Sequence, residues 1–265
     1  MKIFISSDIE GISGSTIWDE TIKNGDLYNE FAHQMTLETK AACDGANIAG
    51  AEEIMVKDAH DSGRNIEHRL LPKNVKLIRG WSGGPFSMVQ ELDYTYDALI
   101  FIGYHSSATK DTNPLSHTMT TILDYVKING EIASEFLIHS YIAAYVGVPI
   151  AFLSGDKGLC EDVKKINPNI VTVAVKEGRG NSTINIHPEL AVELIQEGVK
   201  ESLKADLSKC GVKLPEFFEV EIRYREHKDA YANSHYPNVI KMDENSIKYC
   251  HHDYLEVLRM MKFLI

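Results

Sequence analysis

The sequence predicts an α/β protein with a mainly parallel sheet, because short apolar runs alternate with longer amphipathic stretches. The most apolar run, ALIFIG at residues 98–103, has the composition of a strand that is buried on both faces. The chain has 265 residues, of which 44% are hydrophobic, so it can fill a substantial core. We predict an N-terminal three-layer domain over residues 1–160 and a smaller α+β C-terminal lobe over residues 161–265.

The first half of the chain reads as a series of strands and helices. Strands are predicted over residues 3–6, 54–57, 75–78 and 98–103, and a helix over about 30–49, where apolar and small residues recur near helical spacing. The Asn-Gly pair in KINGEI, residues 127–132, suits a tight turn and predicts an antiparallel ribbon. A helix over about 133–146 and a strand over 149–153 complete this half.

The second half is less regular. Strands are predicted over residues 170–175 and 217–225, and helices over 188–204 and 253–264. The polar segment KEGRGNST, residues 176–183, has the composition of a loop and is predicted to connect the two lobes.

The charge and the cysteines limit the partners and the compartment. The formal net charge is −11, and no cluster of Lys and Arg is interleaved with aromatic residues, so neither nucleic acid nor an anionic membrane is an expected partner. The four cysteines are scattered without CxxC spacing, which predicts free thiols. Met1 and Lys2 lead directly into a strand, and no apolar run approaches the roughly 20 residues of a membrane span. We expect a cytoplasmic protein.

Acids and histidines follow three of the predicted strands. Asp8 and Glu10 follow the first strand, Asp58 and His60 the second, and His105 follows ALIFIG. Because ligands of parallel sheets bind beyond the carboxyl ends of the strands, these side chains are expected at one edge. Carboxylates and imidazoles together are the ligands of zinc and related divalent ions. The sequence therefore predicts a metal site.

Each of these residues also has a simpler interpretation. Asp58 is placed to cap the following turn, and a single histidine after a strand is more often a satisfied polar group than a ligand. Glu135 is predicted near the start of a helix, where the dipole favours any carboxylate. Lys176 and Arg179 are interpreted either as ligands of a peptide carboxylate or as a solvated basic pair. The pair His251 and His252 is discounted, because adjacent strand residues point to opposite faces.

Several motifs in order carry a resemblance to a known family. The segments SDIEGISG, KDAHDSGRN, GPFSMVQELD, FIGYHSSA, LSHTM and the downstream SEF resemble the signature blocks of the D-aminopeptidase family of dinuclear zinc peptidases. The likeness is strongest from residue 1 to about 180. It implies an α/β domain with a smaller C-terminal lobe, and assembly into a ring that is described for the family as a decamer.

The resemblance also implies the site residues. The metal ligands correspond to five residues that would hold two zinc ions: Asp8, Glu10, His60, His105 and Glu135. The family's other catalytic residue, described as a nucleophile, corresponds to His117 in LSHTM. We favour a general acid/base or oxyanion-stabilising role for His117, because an acyl-imidazole offers little advantage beside a metal-activated water. Ser134 stands where the family usually has Gly, and His139 where it often has Asn.

The predicted function is therefore a zinc-dependent aminopeptidase. It would hydrolyse the amide after an N-terminal residue, D-configured by resemblance, of small peptides or amides through a metal-activated water. Asp8 is the expected bridging ligand, because it follows the first strand and a carboxylate has two oxygens. Two alternatives remain open here: another dinuclear metallohydrolase, either an amidase or a phosphoesterase, and a non-enzymatic small-ligand-binding α/β module.

Overall fold

The structure, a computed structural model, describes all 265 residues in twelve strands and six α-helices. The strands are β1 (Lys2–Ser7), β2 (Glu53–Asp58), β3 (Val75–Ile78), β4 (Ala98–Tyr104), β5 (Leu123–Ile128), β6 (Glu131–Ile132), β7 (Ile150–Asp156), β8 (Val171–Arg179), β9 (Ser182–Asn185), β10 (Phe218–Tyr224), β11 (Ile240–Lys241) and β12 (Ser246–His251). The helices are α1 (Tyr28–Ile48), α2 (Glu135–Val146), α3 (Lys157–Ile166), α4 (Pro188–Lys204), α5 (His227–Asn233) and α6 (Tyr254–Leu264).

Seven strands form the main sheet in the order β3-β2-β1-β4-β7-β8-β9. All pairs are parallel except the last, in which β9 returns antiparallel to β8. Every residue of β4 and of β7 is buried, because both faces of the sheet are covered. The predicted α/β class with a mainly parallel sheet is confirmed.

Alternate residues of each strand enter different cores. Ile3 and Ile5 of β1 face a core that includes residues of α1 and α4, whereas Phe4 faces the opposite core. The same alternation continues in β4, where Ile100 packs with Ile3 and Phe101 packs with Phe4. This follows from the two-residue period of a strand and gives the sheet a layer on each side.

A second sheet covers the face on which Phe4 lies. It is antiparallel, in the order β11-β12-β10-β5-β6, and its apolar residues share one core with α2 and α6. The predicted ribbon at residues 127–132 is the β5–β6 hairpin, in which Asn129 and Gly130 both have positive φ, 54° and 87°. These angles fit the tight turn that Asn-Gly favours.

Two features of the second half differ from the prediction. The segment 176–183 is not a loop between lobes: Lys176–Arg179 belongs to β8, and the chain turns directly into β9 of the same sheet. Charged residues on this ribbon at the edge of the sheet hide its strand character in the sequence. Helix α3 was not predicted, although its N-cap Asp156 accepts a hydrogen bond from the Leu159 N–H.

The two sheets do not divide the chain at one position. Strands β8 and β9 follow residue 160 but extend the main sheet, and β5 and β6 precede it but pair with the second sheet. The boundary at residue 160 stays a prediction.

The fold brings the carboxyl ends of β1, β2 and β4 together in the main sheet. The loop after β1 lies directly on β4: the Gly11 N–H donates to the Gly103 carbonyl over 2.8 Å, and a Cβ on Gly11 would lie 1.8 Å from the Tyr104 oxygen. Only glycine fits this close approach. None of the helices combines the length and the apolar character needed to cross a membrane.

Candidate metal centre

Five predicted ligands meet at the carboxyl edge of the main sheet. Asp8 and Glu10 lie in the loop after β1, and His60 and His105 follow β2 and β4. Glu135 is the first residue of α2, which crosses the same edge. All five residues are buried, with exposed fractions between 0% and 9%. The structure therefore brings together side chains that are widely separated in the sequence.

Asp8 lies between two halves of the cluster. Its Oδ1 is 3.3 Å from His60 Nδ1, which is also 3.0 Å from Glu10 Oε2. Its Oδ2 is 3.6 Å from His105 Nε2, which is 3.3 Å from Glu135 Oε2. Each oxygen of Asp8 thus faces a different half, which is the geometry of a carboxylate that bridges two cations.

The main chain orients both histidines. His60 Nε2 is 2.9 Å from the Thr21 carbonyl, and His105 Nδ1 is 2.9 Å from the Ser106 carbonyl. Because a carbonyl only accepts, these nitrogens carry the ring protons and donate. The opposite nitrogens, which face the acids, are free to coordinate a cation in the neutral imidazole.

The cluster places several carboxylates in a buried environment, where burial disfavours their charged forms. Burial, followed by repulsion from Glu10, raises the pKa of Asp8 well above its usual value. Burial also disfavours the Glu10 carboxylate, but the attraction and hydrogen bond of His60, together with attraction to His117 and His105, outweigh burial and hold the pKa of Glu10 well below its usual value. Burial would lower the pKa of His60, yet Glu10 and Asp8 raise it well above the ordinary histidine value. The acids therefore recruit positive charge.

The second half behaves in the same way. Burial opposes charge on both partners, but the attraction between His105 and Glu135 raises the pKa of His105 to about 10 and lowers the pKa of Glu135 to about 2. Protons on the imidazoles thus supply the positive charge in the metal-free chain. A divalent cation would displace these protons, because only the neutral imidazole coordinates.

Two buried atoms test whether a cation fits the cluster. Glu10 Oε2 and His105 Nε2 are buried and lack any partner in hydrogen-bonding geometry, although other charged atoms approach them closely. Buried polar atoms rarely stay unpaired. Their lone pairs converge with those of Asp8 within 4.8 Å. The donor set of carboxylate oxygens and imidazole nitrogens fits zinc.

The two departures from the family pattern hold Glu135 in place. Ser134 is the N-cap of α2, and its Oγ accepts from the Leu137 N–H over 3.1 Å. His139 donates from Nδ1 to the Glu135 carbonyl over 2.6 Å and accepts from the Met88 N–H over 3.3 Å. Both substitutions therefore support the first turn of α2.

His117 lies on the rim of the cluster. Its ring stacks on His105 with centroids 4.4 Å apart, and its Nε2 is 3.5 Å from Glu135 Oε1. The Nδ1–H donates to the Leu115 carbonyl over 2.9 Å, which leaves Nε2 as the free acceptor. Burial and the neighbouring His105 lower the pKa of His117. A neutral imidazole at this place can accept a proton from a bound reactant.

Met119, two residues after His117, also supports the Glu135 carboxylate. Met119 has a φ of 64°, which is unusual for a residue with a side chain, and its N–H donates to Glu135 Oε1 over 2.7 Å. This main-chain donor was not predicted from the sequence, because it depends on a local backbone conformation. The strained residue aligns the carboxylate within the cluster.

A cleft of about 440 Å³ opens over the cluster. Both tryptophans line it: Trp18 packs edge-to-face against His117 with centroids 5.3 Å apart, and the buried ammonium of Lys57 lies 3.7 Å from the ring centroid of Trp81. The sequence analysis did not select either tryptophan. Trp81 lies three residues after β3, as Glu10 does after β1, but the rule was applied only to acids and histidines, so it passed over both aromatic residues.

The remaining candidates have structural contacts. The Asp58 carboxylate accepts from the main chain of Asn65 and Ile66, which orders the loop that carries His60. Lys176 is buried beneath the Asp8 loop, and Arg179 is exposed beside Glu177, so the interpretation that this pair faces the cleft is wrong. His251 Nδ1 lies 3.1 Å from the Asp253 carbonyl, and His252 Nδ1 lies 3.0 Å from the Glu216 carbonyl.

A parallel sheet that gathers buried carboxylates and imidazoles beneath an open cleft defines the class of α/β metal-dependent hydrolases. Residues 1–263 match the D-aminopeptidase family model, and the chain belongs to that family. A D-aminopeptidase of Bacillus subtilis (strain 168) is 32% identical over 201 residues, covering 74% of this chain and 72% of the relative. The predicted resemblance is thereby confirmed.

A solved structure extends the similarity to the whole chain. The Zn-dependent D-aminopeptidase DppA from Bacillus subtilis, described as a self-compartmentalizing protease, aligns with a TM-score of 0.93 at 26% identity. The alignment covers 100% of this chain and 96% of that chain. The two-sheet architecture is therefore the architecture of that zinc enzyme.

Glu38 gives a measurable pH dependence of stability. Its buried carboxyl accepts from the Ser13 N–H over 2.9 Å, and burial raises its pKa to about 7 from 4.5. Between these pH values the folded chain holds a proton that the unfolded chain has released, so the free energy of unfolding falls as pH rises. We expect Glu38→Gln to gain about 3 kcal/mol relative to the natural chain across this window.

Thermal unfolding of both chains in chelator, from pH 4 to pH 8, measures this difference. Because every other group is common to the two chains, the gap between their stability curves isolates Glu38. Curves that stay parallel throughout the range contradict the assignment.

Proposed function

We propose that this protein is a zinc-dependent aminopeptidase that hydrolyses the amide after an N-terminal D-residue of small peptides. The observation that carries the proposal is the buried cluster of three carboxylates and two imidazoles, with Asp8 facing both halves. Family membership and the zinc dependence of DppA support it. They do not favour a phosphoesterase or a non-enzymatic binding module.

Each ligand has a proposed place. Asp8, Glu10, His60, His105 and Glu135 would hold the zinc ions, with Glu10 and His60 on one side of Asp8 and His105 and Glu135 on the other. When bound, the zinc ions polarise the scissile carbonyl and lower the pKa of the attacking water. Three carboxylates leave one net positive charge on such a pair of ions, so the site stays electrophilic.

His117 moves the proton in this proposal. Its free Nε2 takes a proton from the attacking water and passes it to the leaving amine, so that the amine departs neutral. The Leu115 carbonyl fixes the tautomer, and packing against Trp18 restricts the ring. This role differs from that of a covalent nucleophile. Trapping an adduct between substrate and His117 would refute it.

The cleft suits a zwitterionic peptide. Asp61, which holds no ion in this proposal, lines it and can attract the amino terminus, while Lys262 of α6 is the only lysine or arginine among its 20 lining residues. Lys262 therefore supplies the cation for the carboxyl terminus of a short substrate.

Assembly and location extend the proposal. DppA is described as self-compartmentalizing, and we propose that this chain likewise forms a homo-oligomeric ring, a decamer by family resemblance. Sedimentation of the purified chain measures its size, and a monomer contradicts the ring. The free cysteines are compatible with the reducing cytoplasm, which is the proposed location.

The direct test compares D- and L-alanyl amides with and without a chelator. We expect hydrolysis of the D-series, its loss in chelator, and its return with Zn²⁺. Hydrolysis of the L-series alone would reject the D-aminopeptidase assignment and leave the metal site standing. Equal rates with and without chelator would reject the metal mechanism.

The zinc content of two variants distinguishes the proposed ligand role of Glu135 from the proposed proton-transfer role of His117. The natural chain is expected to hold about two zinc ions. Glu135→Gln should sharply lower this content, because a carboxylate ligand is lost from one half of the site. His117→Gln should retain zinc while kcat falls by about 10²- to 10⁴-fold. Elemental analysis and kinetics on the same samples measure both effects.

The matched control for this experiment is Glu131→Gln, which removes an exposed carboxylate from the β6 strand just before α2. It should change neither zinc content nor rate. Loss of zinc from His117→Gln would instead make His117 a ligand, in keeping with its position beside His105 and Glu135.

Substrate charge tests Lys262. Lys262→Gln is expected to raise KM for a D-alanyl dipeptide about tenfold and to leave KM for its C-terminal amide unchanged, because only the free acid loses a charge-assisted hydrogen bond. The exposed Lys228 of α5 gives the control variant Lys228→Gln. Equal effects on the acid and the amide would exclude carboxylate recognition by Lys262.

A further inference from the structure

The chain buries only two lysines, Lys57 and Lys176. Lys176 lies on β8 beside the Asp8 loop, with 3% of its surface exposed. Its ammonium contacts the Glu10 carbonyl, the Ser15 carbonyl at 2.6 Å and the Ser15 hydroxyl at 2.8 Å. All three N–H groups are therefore directed at one short loop, and none is directed at a carboxylate.

The contact with Glu10 fixes one peptide group. The Glu10 carbonyl accepts from Lys176, from Asn113 Nδ2 over 3.0 Å and from the Ser15 hydroxyl over 3.1 Å. On the other side of the same peptide, the Gly11 N–H donates to the Gly103 carbonyl of β4 over 2.8 Å. Four groups thus hold the two ends of the Glu10–Gly11 peptide.

A fixed peptide fixes the side chain that precedes it. The carbonyl of Glu10 is turned toward the buried ammonium, and its carboxylate is directed into the cluster, where Oε2 lies 3.0 Å from His60 Nδ1. Without the ammonium, the carbonyl would keep Asn113 Nδ2 and a Ser15 hydroxyl that it shares with the Ile9 and Ile12 carbonyls, and the loop would gain freedom to rotate. A carboxylate without a rigid backbone would have to be ordered when the cation binds, at a cost in entropy.

The same support reaches His105. Asn113 also donates to Asp156 Oδ2 over 3.2 Å, and Asp156 accepts from the Ser106 N–H over 2.6 Å. The Ser106 carbonyl in turn receives the His105 Nδ1–H. Asp156 and Lys176 lie opposite each other in the β7–β8 register. Strands β7 and β8 therefore contact the main chain of Ser106, which follows the predicted ligand His105, and of the predicted ligand Glu10.

We propose that Lys176 is a positioning residue of the metal centre: its buried ammonium holds the Glu10–Gly11 peptide so that the Glu10 carboxylate is ready to bind the cation. The proposal rests on the proposed metal role of Glu10. It assigns Lys176 no contact with substrate and no part in proton transfer. Because the ammonium acts on the main chain, its effect is on metal affinity before it is on turnover.

Zinc affinity of Lys176→Met is the measurement that tests this role. Methionine keeps the length of the side chain and removes its three donors. We expect zinc affinity, measured by competition with a chelating dye, to fall on the order of 10- to 100-fold. The visible spectrum of the Co²⁺-loaded variant should change as well, since the coordination geometry around Glu10 changes.

The control is Lys164→Met. Lys164 donates to the carbonyls of Pro168 and Ile170, far from the cluster in the fold, so it also loses main-chain hydrogen bonds but should keep natural zinc affinity. A purely structural lysine at position 176 would lower the thermal midpoint of the metal-free chain and leave zinc affinity within about twofold of the natural value. That result overturns the proposal.

If Lys176→Met does not fold, a second variant tests the positioning role. Asn113→Ala removes a second side-chain donor to the same carbonyl and leaves the buried charge in place. It should lower zinc affinity by a smaller factor, and an unchanged affinity overturns the proposal. A natural chain that binds no zinc overturns the proposed function and this inference together. A natural chain that binds zinc, with variants of unchanged affinity, overturns this inference alone.

Discussion

The constraint behind the rest of the structure is the repulsion among three buried carboxylates, Asp8, Glu10 and Glu135, which must be compensated by positive charge. In water this repulsion would be weak, but burial removes the solvent that would screen it. The imidazoles of His60 and His105 compensate the acids, as the raised pKa values of both histidines indicate. Such a cluster is stable only with added positive charge, and the same property makes it a cation site.

Precise placement of the acids requires rigid surroundings. The Asp8 loop packs closely against β4 at Gly11. Glu38 of α1 accepts from the Ser13 N–H of this loop, and Lys176 of β8 donates to its carbonyls. On the opposite side, the start of α2 is capped by Ser134 and supported by His139. Support therefore comes from both layers of the domain, which explains why ligands from distant segments can converge.

The cleft combines the acids and histidines of the cluster with two tryptophan rings beside them. Trp81 is backed by the ammonium of Lys57, and Trp18 packs against His117, so both rings are held beside the cluster. Both rings therefore offer an apolar surface to a reactant beside the acids of the cluster. Ser134 and His139 support the start of α2 and with it the Glu135 carboxylate.

The sequence by itself determined the order of strands and helices in the first half and the strand ends that carry Asp8, Glu10, His60 and His105. It could do so because buried parallel strands are continuous apolar runs, and because polar residues at their carboxyl ends meet at one edge. His117 came from the family resemblance. Glu135 was recognised as an acid near a helix start, but its role as a ligand also came from the resemblance, since periodicity does not show where that helix points.

Only the tertiary structure decided the contacts between segments. It showed that Lys176 lies under the Asp8 loop, that residues 176–179 continue β8, and that Trp18, Trp81 and Lys262 line the cleft. From its sequence neighbours alone, a lysine such as Lys176 is expected to be exposed to solvent. Its burial depends on carbonyls that are distant in the sequence and that the local pattern does not show. Local patterns locate elements, whereas the partners of a buried polar group are set by packing across the whole fold.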